Sequence, residues 1–114
     1  MEETPVMACT LSDVDLRDRR AAWMKVGRYA TETTLIDGGV SFLFSPAPGV
    51  GESLARLADL ERDCCSWMTI ELRQSAAGLL MSVTGMGDDG EAAARETFGP
   101  LAELVSGRPS EPRR

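Results

Sequence analysis

The sequence predicts an α+β fold: two α-β-β units that together make a four-stranded antiparallel sheet, with helices on one face and a C-terminal closing helix. Three observations predict it. An amphipathic helical stretch precedes each of two strand pairs. Each pair is joined by a short turn, Asp37-Gly38-Gly39 in the first and Ser75-Ala76-Ala77-Gly78 in the second. A third apolar helical stretch follows the last strand. The duplication is one of element order, because the halves share no convincing sequence identity.

Residues 6–11 read as a strand or an extended lead-in. Ser12 then reads as a helix N-cap, and Asp13 and Asp15 complement the positive end of the helix dipole. Over residues 13–30, Leu16, Trp23, Val26 and Ala30 fall on one helical face. The run Arg17-Asp18-Arg19-Arg20 is read as a solvated face of that helix. Residues 31–36 are rich in β-branched side chains, and Asp-Gly before the next apolar run is a strong hairpin signal. In residues 40–44, Val40, Phe42 and Phe44 share one face of a strand, with Ser41 and Leu43 on the other.

Pro46-Ala47-Pro48-Gly49 ends that strand, since proline cannot donate to a ladder. A second helix is predicted over residues 51–65, with Leu54, Leu57, Ala58, Glu61, Cys64 and Cys65 along its apolar side. Residues 67–74 alternate through Met68, Ile70 and Leu72, and residues 79–84 return as a strand. Gly85-Met86-Gly87-Asp88-Asp89-Gly90 is read as a turn, because it lacks the ligand register of a calcium loop. A third helix over residues 91–105 carries Pro100, which predicts a break near Gly99. Residues 107–114, with two prolines, are expected to be a disordered tail.

The length of 114 residues is that of one domain, which this pattern assigns to residues 6–106. A chain of this size buries roughly 65% of its unfolded surface and needs no disulfide to fold. The net charge of −6 argues against nucleic acid or an anionic membrane as the main partner. The N-terminus is acidic and has no following apolar segment of a secretory signal, and no apolar run approaches a membrane span. A cytoplasmic location is expected, where thiols stay reduced. The odd count of three cysteines also fits poorly with a disulfide framework.

The chemistry-bearing residues are few. There is no histidine, which excludes a Cys-His dyad, and there is no nucleotide-binding or flavin-type glycine motif. Cys64 and Cys65 stand side by side at the end of the second helix, and Cys9 lies upstream. Three thiolates suit a thiophilic ion such as Hg(II), As(III), Cu(I) or Zn(II); zinc would need a fourth ligand, such as Glu61 or water. Glu61 precedes the cysteines by three and four residues and shares their face. A carboxylate on an apolar face is costly unless paired. It suits general acid–base work, recognition of a cationic ligand, or an ion pair with Arg20, Arg56 or Arg62. Trp23, Phe42, Phe44 and Trp67, with Tyr29, could line a groove for a flat organic ligand, although aromatics at these spacings are more often core. Met24, Met68, Met81 and Met86 form no spaced soft-ligand motif.

Ala8-Cys9-Thr10-Leu11, Arg20 with Trp23, Asp37-Gly38-Gly39, Leu54-Ala55-Arg56-Leu57-Ala58, Glu61 with Cys64-Cys65, and Ile70-Glu71-Leu72 make a combined pattern. It resembles a small actinobacterial domain often appended to the C-terminus of MerR-type regulators and also found alone. In that domain a similar A-C-T-L start precedes an R-x-x-x-W-type helix, and an E-x-x-C-C-x-[FW] segment enters an apolar strand. The resemblance covers roughly residues 8–98. It implies an effector-binding or processing role, since MerR-type proteins commonly sense metals, oxidants or drugs. The helix-turn-helix of the fused proteins has no counterpart here.

Two functions compete on these grounds. One is a soft-metal or metalloid binding protein in sensing or resistance, using Cys9, Cys64 and Cys65. The other is a small-molecule module, by analogy with GyrI-like effector domains that bind cationic or hydrophobic drugs around a central acid. Some relatives of that fold are small hydrolases, so Glu61 with Cys64 or Cys65 could also act on a natural product in a hydrolase- or cyclase-type reaction. Reversible thiol redox, with Cys9 resolving a vicinal disulfide, is a third possibility. A soft ion or a small organic ligand is thus the expected partner, and a homodimer is compatible with either role.

Overall fold

A computed structural model describes residues 13–64 and 67–106. The elements run α1 (Asp13–Val26), a short 3-10 helix (Gly27–Tyr29), β1 (Ala30–Ile36), β2 (Gly39–Phe44), α2 (Val50–Cys64), β3 (Met68–Ser75), β4 (Gly78–Gly85), α3 (Gly87–Thr97) and α4 (Gly99–Ser106). The strands form one antiparallel sheet in the order β1-β2-β4-β3. The fold is therefore α+β, with two α-β-β units and a helical C-terminal closure. The readings for residues 6–11, Ser12 and residues 107–114 lie outside the described residues.

The first hairpin closes through Asp37 and Gly38, with Ile36 opposite Gly39. Gly38 takes a φ of 85°, which L side chains rarely adopt. Gly39 is needed for a different reason: a Cβ there would lie 1.8 Å from the carbonyl oxygen of Val83 on β4. Gly39→Ala is therefore expected to cost about 1–3 kcal/mol by forcing β2 and β4 apart. Urea denaturation checks this, and a loss below about 0.5 kcal/mol, the range of ordinary surface substitutions, would contradict it.

The central pair β2–β4 sets Val40 opposite Val83 and Phe42 opposite Met81. All four are buried on the helix-facing side, together with Phe44, Met68 and Ile70. Period-2 alternation puts Ser41 and Leu43 on the other face, as expected. From the helical side, α2 contributes Leu54, Leu57 and Ala58, and the end of the chain contributes Ala94, Phe98 and Leu101. Full burial of side chains such as Phe42, Phe44, Leu54 and Ile70 is worth about 1.5–3 kcal/mol each.

Two boundaries differ from expectation. The first helix stops at Val26, and Ala30 opens β1 instead of extending the helix. A lone buried alanine satisfies either pattern, so spacing could not separate them. The segment read as a turn, Gly85 to Gly90, instead contains the first turn of α3, where Asp88 and Asp89 sit at the positive end of the helix dipole. Gly85 and Gly90 serve close approach, since a Cβ on Gly85 would lie 2.3 Å from the carbonyl oxygen of Gly90, whereas Gly87 takes a φ of 69° with open space around it. The predicted break falls between Thr97 and Gly99, and Pro100 lies in the first turn of α4, where its missing N–H costs nothing.

Candidate functional site

The site is built on the pairing of α1 with α2. Arg19 and Trp23 are four residues apart on α1 and therefore share a face. Trp23 Nε1 donates to Glu61 Oε2 at 2.8 Å, and Arg19 Nη1 pairs with the same oxygen at 3.2 Å. The cluster is largely withdrawn from water, with Arg19 and Glu61 side chains 13% and 7% exposed. The Trp23 ring meets Phe98 edge to face, centroids 5.0 Å apart, which ties the carboxylate's surroundings to the core. The ion pair expected for Glu61 is thus formed, but with Arg19 in place of Arg20, Arg56 or Arg62. Within the run Arg17-Asp18-Arg19-Arg20, only Arg19 turns inward; the other three are exposed.

The direction of the two helices follows from which residues meet. At one end, Val26 and Tyr29 line a depression with Val50 and Ser53 from the start of α2. At the other end, Arg19 and Trp23 meet Glu61, near the end of α2. The helices are therefore antiparallel, and the chain enters α1 at the same end at which it leaves α2. Along the axes, Asp13 lies about 9 Å from Arg19, and Cys64 about 4.5 Å from Glu61.

The last turn of α2 is braced on a second side. Arg62 pairs with Asp59, and its Nη2 donates to the carbonyl oxygen of Ile70 on β3 at 2.9 Å. The junction between α2 and β3 is thus held to α1 through Glu61 and to the sheet through Arg62. Cys64 is the last residue of α2, and β3 starts at Met68. Cys9, Cys65 and the side chain of Cys64 lie outside the described residues. Among the described residues, no group of three or more Cys, His, Asp or Glu is placed to hold a metal ion.

The aromatic candidates divide. Trp23, Phe42 and Phe44 are core residues, at most 6% exposed. Trp67 is half-buried against the same core. Its Nε1 is buried and has no hydrogen-bond partner among the described residues. Of the methionines, Met68 and Met81 are buried, whereas Met86 is exposed ahead of α3. Neither the depression between α1 and α2 nor a second one beside Pro46, Gln74 and Leu79 is lined by Glu61 or by any of these four aromatics.

Sequence reasoning found Glu61 and Trp23 but missed Arg19. The spacing Arg19-x-x-x-Trp23 was the available signal, because it puts the guanidinium on the face of the buried indole. It also missed the clamp that α3 places on the first hairpin. Glu91 accepts from the Gly38 N–H at 3.0 Å, and Arg95 donates to the carbonyls of Ile36 and Gly39, both at 2.9 Å.

Comparisons with protein-family models, with curated proteins and with solved structures give no match for the chain. No helix among the described residues is long and apolar enough to cross a membrane.

Proposed function

We propose that the chain binds a soft metal or metalloid ion, of the Hg(II), As(III), Cu(I) or Zn(II) class, through Cys9, Cys64 and Cys65, in sensing or resistance. The observation that carries this reading is the antiparallel α1–α2 pair pinned at Glu61. It brings the entry to α1 and the exit from α2 to one end of the fold. Cys9 is four residues before Asp13, a stretch that spans at most about 14 Å. That reach supports one cluster of all three thiols at a braced junction. Arsenite illustrates the balance: As(OH)3 exchanges three hydroxyls for three thiolates, and the thiol protons leave with them as three waters.

The Nε1 of Trp67, which has no partner among the described residues, adds support, because it is a buried donor two residues after Cys65 and a thiolate sulfur would accept from it. Hydrogen bonds from the surroundings tune a ligand set and commonly change its affinity about 10–100-fold. Trp67→Phe keeps an aromatic ring against the core and removes the donor together with the five-membered ring of the indole. It is expected to weaken ion binding about 10-fold at a stability cost of about 1 kcal/mol, as read by competitive chelator titration alongside urea denaturation. An unchanged affinity would remove Trp67 from the site.

Glu61 fits a positioning role better than that of a free base, since a guanidinium and an indole N–H already engage it. The direct test is titration of the fully reduced protein with Hg(II), As(III), Cu(I) and Zn(II). Hg(II), As(III) or Cu(I) should bring up thiolate-to-metal charge-transfer absorption in the ultraviolet. Unchanged spectra with all thiols reduced would refute the proposal, and would return a Glu61-centred organic ligand or a natural-product hydrolase or cyclase to first place.

A further inference from the structure

At the opposite end of the α1–α2 pair from Cys64, a depression of about 390 Å³ opens between the end of α1 and the start of α2. Three of its lining residues are cationic, Lys25, Arg28 and Arg56, and none is acidic. This runs against the composition, which has 18 acidic and 12 basic side chains. Among the described residues, none of the three cations has an ion-pair partner within 4.0 Å. Like charges around one concavity repel, and an anion seated among them relieves that repulsion. The first turn of α2, from Val50, lines the same wall and adds the positive end of a helix dipole. Glu52, in that same turn, is not part of the lining. The floor is apolar, with Val26, Val50 and Leu57 all buried.

We infer that this depression binds a small organic anion, with its carboxylate or phosphate held by Lys25, Arg28 and Arg56 and its short apolar body laid over Val26, Val50 and Leu57. The volume falls in the range of small-molecule sites, about 300–1,000 Å³. Arg28 and Arg56 supply planar donor forks that match an oxyanion, and Lys25 supplies a point charge. The ligand class is opposite in charge to the cationic drugs suggested by a central-acid domain. No cysteine is in the lining, so the inference is tested without reference to the thiols.

The test is two-dimensional amide NMR of the reduced, metal-free protein at low salt, with octanoate, inorganic phosphate and octylammonium as probes. Octanoate should shift the amides of Val26, Tyr29, Val50 and Ser53. Phosphate, lacking the apolar body, should bind at least 10-fold more weakly, and octylammonium should leave those amides in place. Lys25→Gln, Arg28→Gln and Arg56→Gln should each weaken octanoate about 3- to 10-fold, in keeping with exposed charge pairs. The triple variant should abolish binding while its spectrum stays that of a folded protein. Equal binding of octanoate and octylammonium, equal binding of phosphate, or undiminished binding by the triple variant would each overturn the inference.

Discussion

Replacing Glu61 with alanine is expected to lower the unfolding free energy by about 3–5 kcal/mol, the cost of breaking a buried ion pair from one side. Arg19 would keep its charge in a setting where its side chain is only 13% exposed. Trp23 Nε1 would lose its acceptor at the same time. Glu61→Gln should cost less, because the amide oxygen still accepts from the indole. The double change Arg19→Met with Glu61→Leu should recover most of the loss, since a well-packed apolar pair often replaces a buried ion pair without penalty. It still strands the indole N–H, which leaves a residual cost of about 1–3 kcal/mol. Urea denaturation midpoints would rank the three variants. A Glu61→Ala loss below about 0.5 kcal/mol would mean that the cluster is open to water and does not pin α1 to α2.

Single serine substitutions at the thiols should have the largest effect on binding. Cys64→Ser or Cys65→Ser is expected to weaken binding of the soft ion by about 100-fold or more, beyond the roughly 10–100-fold that follows loss of a supporting hydrogen bond. Cys9→Ser should do the same if Cys9 completes a three-sulfur site. A fall confined to Cys64 and Cys65, with Cys9→Ser unchanged, would reduce the site to a vicinal dithiol. Competition against a chelator of known affinity gives the ratios. Stability in urea should barely change in any of the three.

The parts of the fold that were legible were those in which one residue type has one physical use. Asp37-Gly38 announced a hairpin because glycine accepts at little cost the φ of 85° found at Gly38, which other residues rarely adopt. Pro100 announced a helix break because it has no N–H to give. The apolar side of α2 was legible from spacing, and Leu54, Leu57 and Ala58 are buried as it required. What escaped were residues with two uses. Arg19 sits in a charge run that is exposed at Arg17, Asp18 and Arg20, and composition alone could not say which of the four turns inward. Gly87 and Gly90 lower the helix propensity of α3, so the stretch reads as a turn; Gly90 serves close contact, its carbonyl oxygen lying 2.3 Å from where a Cβ on Gly85 would be, and Gly87 takes a φ of 69°.

The candidate site was legible in part for the same reason. A carboxylate on an apolar face demands a partner, and that demand was visible at Glu61. Which partner was marked only by the Arg19-x-x-x-Trp23 spacing, because the relative direction of the two helices decides which arginine reaches Glu61. The spacing of the aromatics fits a groove or a core, and Trp23, Phe42 and Phe44 are in the core. Trp67 differs from them through its unpartnered donor, a property that emerges only when the strands are assembled.

The most direct measurement is X-ray absorption at the arsenic edge on the fully reduced protein loaded with one equivalent of As(III). Three sulfur neighbours and no oxygen in the first shell are expected, falling to two in the Cys9→Ser variant. An oxygen-dominated shell, or arsenic washed away while all three thiols still titrate as reduced, would contradict a three-thiolate site at the end of α2.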